Sequence, residues 1–235
     1  MTICVIHPTI SKESAEELAK ALGWDVCNPF KEDKRDFRNY AGVFNYGCNR
    51  KIVANNVINK SVSVATCINK VATYEAFKKA GIPTVNYVTR KQDVPKQWEI
   101  VVIRDKVDGA RAEGLDYHYQ DKAYVEYVEG KPVPDGKLFS EYFEHTEELR
   151  VMVFCGKCVG VYEKVRRDGA GWEFIAVWNH NHIRAQAEQA AKALDIDFVG
   201  FDVLVNVNEG KWLFLEANTG CILTPEMIDA IKAYL

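Results

Sequence analysis

Asp202, Glu216 and Asn218 set two carboxylates and a side-chain amide close together near the C-terminal end of this 235-residue chain. Phe201 to Val205 is β-branched and aromatic, Asn206 to Gly210 carries turn residues, and Lys211 to Ala217 resumes the apolar run, so a hairpin is expected. Alternation along its second strand places Trp212, Phe214, Glu216 and Asn218 on one side, with Asp202 in the partner strand. Hard oxygen donors at neighbouring strand ends suit magnesium, which takes one or two carboxylates and completes its octahedron with water and phosphate oxygens. The competing reading is a strand whose polar residues face water. With no counter-charge evident in the sequence, the acids should repel, so Glu216→Gln should leave ligand-free stability unchanged or slightly higher while turnover collapses.

Other chemistries find less support. There is no G-x-S-x-G elbow, and no G-x-G-x-x-G follows the first strand. Cys155 and Cys158 have metal-like spacing but lie between the strand-like runs LRVMVF and VGVYEKV, so Gly156-Lys157 reads as a two-residue turn, with Arg150 opposite Glu163. A structural zinc needs four ligands, and no second cysteine pair exists. Gly109 and Gly114 suggest a phosphate cradle, but Leu115 stands where a P-loop has lysine. Such a loop can still fold over phosphates as a lid, with Arg104, Lys106 and Arg111 supplying charge. The net charge of −3, from 30 basic and 33 acidic residues, gives no global case for nucleic acid. No apolar run is long enough to span a membrane and nothing marks the N-terminus for export, so a cytoplasmic location is expected, the host's if the source is viral.

The elements that must hold these residues alternate from the start. Thr2 to His7 is a strand, Ser11 caps a helix stopped by Gly23, and Trp24 to Cys27 and Ala41 to Tyr46 are further strands, an α/β beginning. A helix from about Thr66 to Ala80 carries Ile68, Val71, Tyr74 and Phe77, with Lys70 beside that stripe. The strand-like IPTVNYVT and a linker with Pro95 mark a lobe boundary, followed by the strand EIVVIR. A later strand ends at Glu141. Ile183, Ala187, Ala190, Ala191 and Leu194 share a helix face, and Thr224 with Pro225 starts a closing helix.

In order and spacing, INK with TYEAFKKAGIPTV, the VVIR strand and glycine loop, SEYFEHTEELRVMV, YEKVRR, GFDVL and LEANTG resemble the ATP-grasp superfamily. Within it they are most similar to the carboxylate–amine ligases of phage genomes and of enzymes that add amino acids to ribosomal proteins. The resemblance implies an α/β fold with α+β lobes: an N-terminal α/β lobe (1–89), a small lid lobe (90–140) and a catalytic lobe (141–235), the last two sandwiching ATP. It implies that Lys70, Arg104 and Lys106 contact ATP phosphates, that Glu141 with the backbone of Tyr142 and Phe143 forms the adenine hinge, and that Glu148 accepts the ribose hydroxyls. Asp202, Glu216 and Asn218 would hold one or two magnesium ions. Lys164 with Arg166 or Arg167 would meet the γ-phosphate or acyl phosphate, and Arg150 would be structural. Asn179 would serve the substrate, although relatives place an arginine just before it where this chain has Trp178. The glycine loop also carries Ala110 and Ala112 where glycine is usual.

The implied activity is amide or peptide bond formation through an acyl phosphate. Its partners would be ATP, a carboxylate and an amine from an amino acid, peptide or protein terminus. A phosphotransferase and a nucleotide-binding module without catalysis are the alternatives.

Overall fold

The computed structural model describes residues 2–32, 34–104, 124–125, 137–167 and 171–233. The chain starts with a parallel four-stranded sheet built from β1 (Ile3–Ile6), β2 (Asp25–Cys27), β3 (Gly42–Asn45) and β4 (Val57–Ile58), in the order β2-β1-β3-β4. Between β1 and β2 runs α1 (Lys12–Leu22), closed by Gly23 in the left-handed region at φ 67°. Ser11 does not cap α1 through its side chain; its hydroxyl donates to the Tyr46 carbonyl at 3.2 Å, tying the helix start to the end of β3.

The helix expected across 66–80 is two helices, α2 (Ser61–Ile68) and α3 (Lys70–Lys79). Asn69 breaks them apart at φ −86°, ψ 105°, and its side chain accepts a hydrogen bond from the Ala72 N–H at 3.1 Å. An asparagine N-cap competes well with helix continuation. The break makes Lys70 the first residue of α3.

A small antiparallel sheet follows, β5 (Tyr87–Val88), β6 (Val101–Arg104), β7 (Tyr124–Val125) and β8 (Leu138–Glu141), in the order β5-β8-β6-β7. Of the strand read in IPTVNYVT only β5 forms, with Thr84 bridging to Phe214. The largest sheet is antiparallel: β9 (Glu147–Phe154), β10 (Lys157–Arg167), β11 (Gly171–Ala176), β12 (Phe198–Asn206) and β13 (Lys211–Asn218), in the order β11-β10-β9-β12-β13. It is crossed by α4 (Asn181–Ala193), and α5 (Pro225–Lys232) closes the chain, capped by the Thr224 hydroxyl.

The back face of this sheet is apolar from end to end. Leu149, Val151, Phe201, Val203, Phe214 and Ala217 pack against Ile183, Ala187 and Ala190 of α4 and Phe77 of α3. The front face is divided. At one end Met152, Phe154 and Phe198 pack against Phe44 and Tyr46 of the first sheet and against α1 and α5; at the other, Leu204 and Leu213 pack against Tyr74, Val85 and Leu138. The front-facing positions between those two patches are charged.

The turn joining β9 and β10 is Cys155-Gly156, not Gly156-Lys157. Both central residues have positive φ, 47° and 76°, which is the geometry that matches the twist of paired strands. With a register shift between Cys158 and Gly160, this sets Arg150 opposite Tyr162 rather than Glu163.

Candidate active site on the front of the large sheet

A β-bulge in β13 creates the site. From Asn206↔Lys211 to Val203↔Phe214 the hairpin follows one register; Asp202 then pairs with Glu216, leaving Leu215 as an extra residue. Had the register continued, Glu216 would lie opposite Phe201 and point into the back-face core. The bulge flips the pattern, so Trp212 and Phe214 stay with the back-face core while Glu216 and Asn218 project from the front beside Asp202. The single-sided stripe expected from strict alternation is therefore corrected: its apolar and polar halves lie on opposite faces.

The neighbouring strands supply counter-charges. Arg150 of β9 is the register partner of Asp202 on its other side and donates through Nε to Oδ1 at 2.6 Å. Lys164 of β10 reaches over β9 to Asp202 Oδ2 at 3.1 Å and also pairs with Glu148. Lys70, delivered by the first turn of α3, bonds Glu216 Oε1 at 2.6 Å. Gly200 makes room for this array, since a Cβ there would lie 2.8 Å from Arg150 Cδ. Two aromatic rings of β11 roof the cations, Trp172 with Lys164 Nζ 4.7 Å from its centroid and Phe174 with the Arg150 guanidinium 5.5 Å away.

These contacts overturn the expectation that the acids lack counter-charge. Burial and repulsion from Asp202 raise the Glu216 carboxyl, but Lys70 and, to a smaller extent, Arg104 together hold it below its ordinary range. Asp202 behaves likewise: burial pushes it up, and Arg150 and Lys164 bring it below the usual carboxylate value. Lys70, for which burial works the other way, is raised by Glu216. Glu216→Gln is therefore expected to destabilise the ligand-free protein by leaving a largely buried ammonium without its partner, the reverse of the sequence expectation.

Next to the charged strip is a cavity of about 180 Å³. Val85, Val102, Leu204 and Leu215 give it apolar walls; Arg104, Glu141, Tyr142, Phe143, His145 and Glu148 line the rest. The Glu141 carboxylate accepts from Asn86 at 2.8 Å, and the Tyr142 N–H donates to the Ile100 carbonyl at 3.0 Å. The Phe143 carbonyl meets His145 Nδ1 at 3.0 Å.

The structure thus brings together Lys70, Arg104, Glu141, Tyr142, Phe143, Glu148, Lys164, Asp202, Glu216 and Asn218. Arg166 shares the face of Lys164 by alternation, whereas Arg167 points the other way and pairs with Glu173 at 2.6 Å. Asn179 is exposed, and the next residue, His180, is held 3.3 Å from Glu147 beneath the back face; among the described residues no contact joins Asn179 to the acidic pair. Lys106 and the glycine loop lie outside the described residues. Arg150, Trp172, Phe174 and His145 escaped sequence reading as site groups. Arg150 becomes legible only once β9 is known to lie between β10 and β12.

Two carboxylates and an amide oxygen on one strip are hard donors of the kind magnesium takes. Among the described residues no group of three His, Cys, Asp or Glu side chains could hold a metal. Such a cation would need further oxygen ligands from a substrate.

No family model and no curated protein matches the chain. Solved structures do. The ATP-grasp ligase PsnB complexed with a minimal precursor aligns with 100% of both chains at 15% identity and a TM-score of 0.69. D-alanine-D-alanine ligase from Bacillus anthracis complexed with ATP aligns with 99% of this chain and 92% of its own at 15% identity and a TM-score of 0.66. The macrocyclase MdnC from Microcystis aeruginosa, bound to its precursor peptide MdnA, gives 12% identity, 100% and 99% coverage and a TM-score of 0.64. The likeness extends over the whole chain and is carried by enzymes of one architecture: this protein has the ATP-grasp fold.

Proposed function

We propose that this protein is an ATP- and magnesium-dependent carboxylate–amine ligase that forms ADP and an amide or peptide bond. The observation that carries the reading is the paired strip: Asp202 and Glu216 are register partners, and the lysines that neutralise them, Lys164 and Lys70, are cations a phosphate could take over.

In this reading the adenine occupies the 180 Å³ cavity against Leu204 and Leu215, lined by the chain from Glu141 to Phe143. Glu148 accepts the ribose hydroxyls. Lys70 and Arg104 neutralise the phosphates from the α3 and β6 sides, and Lys164, with Arg166 beyond it on the same face, meets the γ-phosphate. Asp202, Glu216 and Asn218 would hold magnesium, which when bound neutralises charge developing on the transferred phosphoryl group. In this reading residues 90–140 are the lid lobe that sandwiches the nucleotide with lobe 141–235, and residues 1–89 are the N-terminal lobe.

No nucleophilic side chain is needed. A substrate carboxylate oxygen attacks the γ-phosphorus and ADP leaves; an amine nitrogen then attacks the acyl carbon and gives up a proton, the acyl C–O bond breaks, and its electron pair leaves with inorganic phosphate. The protein orients both partners, neutralises phosphoryl charge and excludes water. PsnB with its precursor, Mg and ADP, and MdnC with its precursor peptide, support a peptide or protein as one substrate. The motif order supports a place near the phage-type and ribosomal-protein-modifying ligases.

Thermal unfolding with and without saturating Mg-ATP tests the nucleotide site. At 100 times the dissociation constant the ligand should add about 2.7 kcal/mol, and magnesium-free ATP much less. No shift would remove the reading, and ADP release indifferent to any amine would turn it toward phosphotransfer.

A further inference from the structure

Four buried side-chain atoms lack a hydrogen-bond partner among the described residues: Tyr74 Oη, Arg104 Nε, Arg150 Nη1 and Glu147 Oε2. Glu147 Oε2 lies 3.3 Å from His180 Nε2 on the back face. The first three border the site, and unmet polar capacity in an otherwise satisfied interior calls for a partner such as water, an ion or a ligand. Tyr74 belongs to no role described so far. It lies one helical turn after Lys70 in α3, so the two side chains share a face of that helix. It is fully buried, its ring 5.2 Å from that of Tyr87 and packed with Val85, Leu138 and Leu204 in the apolar cluster bordering the cavity. The charges around its hydroxyl are Arg104, which lies nearest to hydrogen-bonding reach, Lys70 and Glu216. Burial raises the phenol, which stays protonated and can both donate and accept.

In the ligand-free arrangement Lys70 spends its short bond on Glu216, and the Lys70 side chain is only 13% exposed. If Glu216 turns to a metal ion, the ammonium needs new acceptors that water cannot readily provide. We propose that Tyr74 is a positioning residue for the nucleotide: its hydroxyl accepts a hydrogen bond from Lys70 once Glu216 is drawn away, and so holds the ammonium toward the phosphates. This inference rests on the nucleotide-site reading above. In the free protein the hydroxyl faces the Arg104 guanidinium without a well-formed hydrogen bond. In the complex it replaces the partner that Lys70 has lost, a hydrogen bond to a charged group and one of the stronger kinds.

The test is Tyr74→Phe, which keeps the ring and its packing. Ligand-free thermal stability should be unchanged or higher, because a buried hydroxyl without a partner is removed. The dissociation constant for Mg-ADP, measured by calorimetry, should rise roughly tenfold. In a Lys70→Met background the same substitution should leave Mg-ADP affinity unaltered, since the hydroxyl acts through Lys70. Wild-type protein that binds Mg-ADP with a Tyr74→Phe variant of equal affinity would overturn the role of Tyr74 alone. A wild-type protein with no Mg-ADP affinity would overturn the nucleotide site as well. A drop in ligand-free stability with unchanged affinity would make Tyr74 a packing residue.

Discussion

On the back of the large sheet Leu149, Val151, Phe201 and Val203 meet α4 and α3, while the alternate residues of the same strands, Glu148, Arg150 and Asp202, form the charged strip on the front. Each fully buried apolar side chain on the back contributes on the order of 1.5–3 kcal/mol. The buried ion pairs on the front contribute much less on balance, because the cost of removing charges from water offsets most of their attraction. One sheet therefore divides by side-chain parity: the back holds the fold together, and the front gathers the charges of the candidate site. The bulge at Leu215 is where the division is enforced, since it keeps Phe214 behind and brings Glu216 forward.

The largest expected effect on stability is on the back. Phe201 is fully buried and meets Phe214 edge to face at 5.5 Å and Phe77 at 5.9 Å. Phe201→Ala should cost about 3–5 kcal/mol in denaturant titrations, while Mg-ATP affinity of the remaining folded protein is unchanged. A loss below about 1 kcal/mol would show that the back face is not what stabilises the sheet.

On the front, Glu216→Gln should lower ADP formation by about a hundredfold or more, the scale for removing one electrostatic contributor. It should also cost about 1–3 kcal/mol without ligand, because the largely buried Lys70 loses its partner, and Lys70→Met in the same chain should recover most of that. The pH dependence follows from the depressed carboxyls. Asp202 and Glu216 have folded values below their ordinary 3.8 and 4.5, so their stabilisation is fully present above those ordinary values and is lost as pH falls through the folded ones. Wild type should lose stability below about pH 4.5, and Glu216→Gln should lose less over that interval. A variant more stable than wild type at neutral pH would reinstate the repelling acids inferred from sequence.

Why the sequence misled there is specific. Local patterns showed the hairpin, α4, α5 with its Thr224 cap, and the placing of Asp202 and Glu216 on partner strands, because strand and helix periodicities and cap residues act within a few positions. Motif order pointed to the architecture. The bulge stayed hidden, since Trp212-Leu-Phe-Leu-Glu216 offers no glycine to mark it. The counter-charges stayed hidden because Arg150, Lys164 and Lys70 reach the acids from β9, β10 and α3, and only the strand order and the Asn69 break align them. A strict count of two along β13 gave a coherent but wrong face.

The smallest effect concerns a position that serves neither face. Cys155 is exposed in the β9–β10 turn with φ at 47°, followed by Gly156 at 76°. Left-handed backbone costs a non-glycine residue about 1–2 kcal/mol, and asparagine tolerates it better than most. Asn-Gly is also the pair this turn type favours. The Cys155 N–H donates to the Asp197 carbonyl, a backbone bond that any side chain retains. Cys155→Asn should therefore add about 0.5 kcal/mol and raise Tm by about 1–2 °C, leaving Mg-ATP affinity and metal content as they were. Because the turn caps strands whose front residues carry the site, a change in nucleotide affinity here would show that turn and charged strip are coupled through β9. A fall in stability would show that Cys155 has a role its turn geometry does not explain.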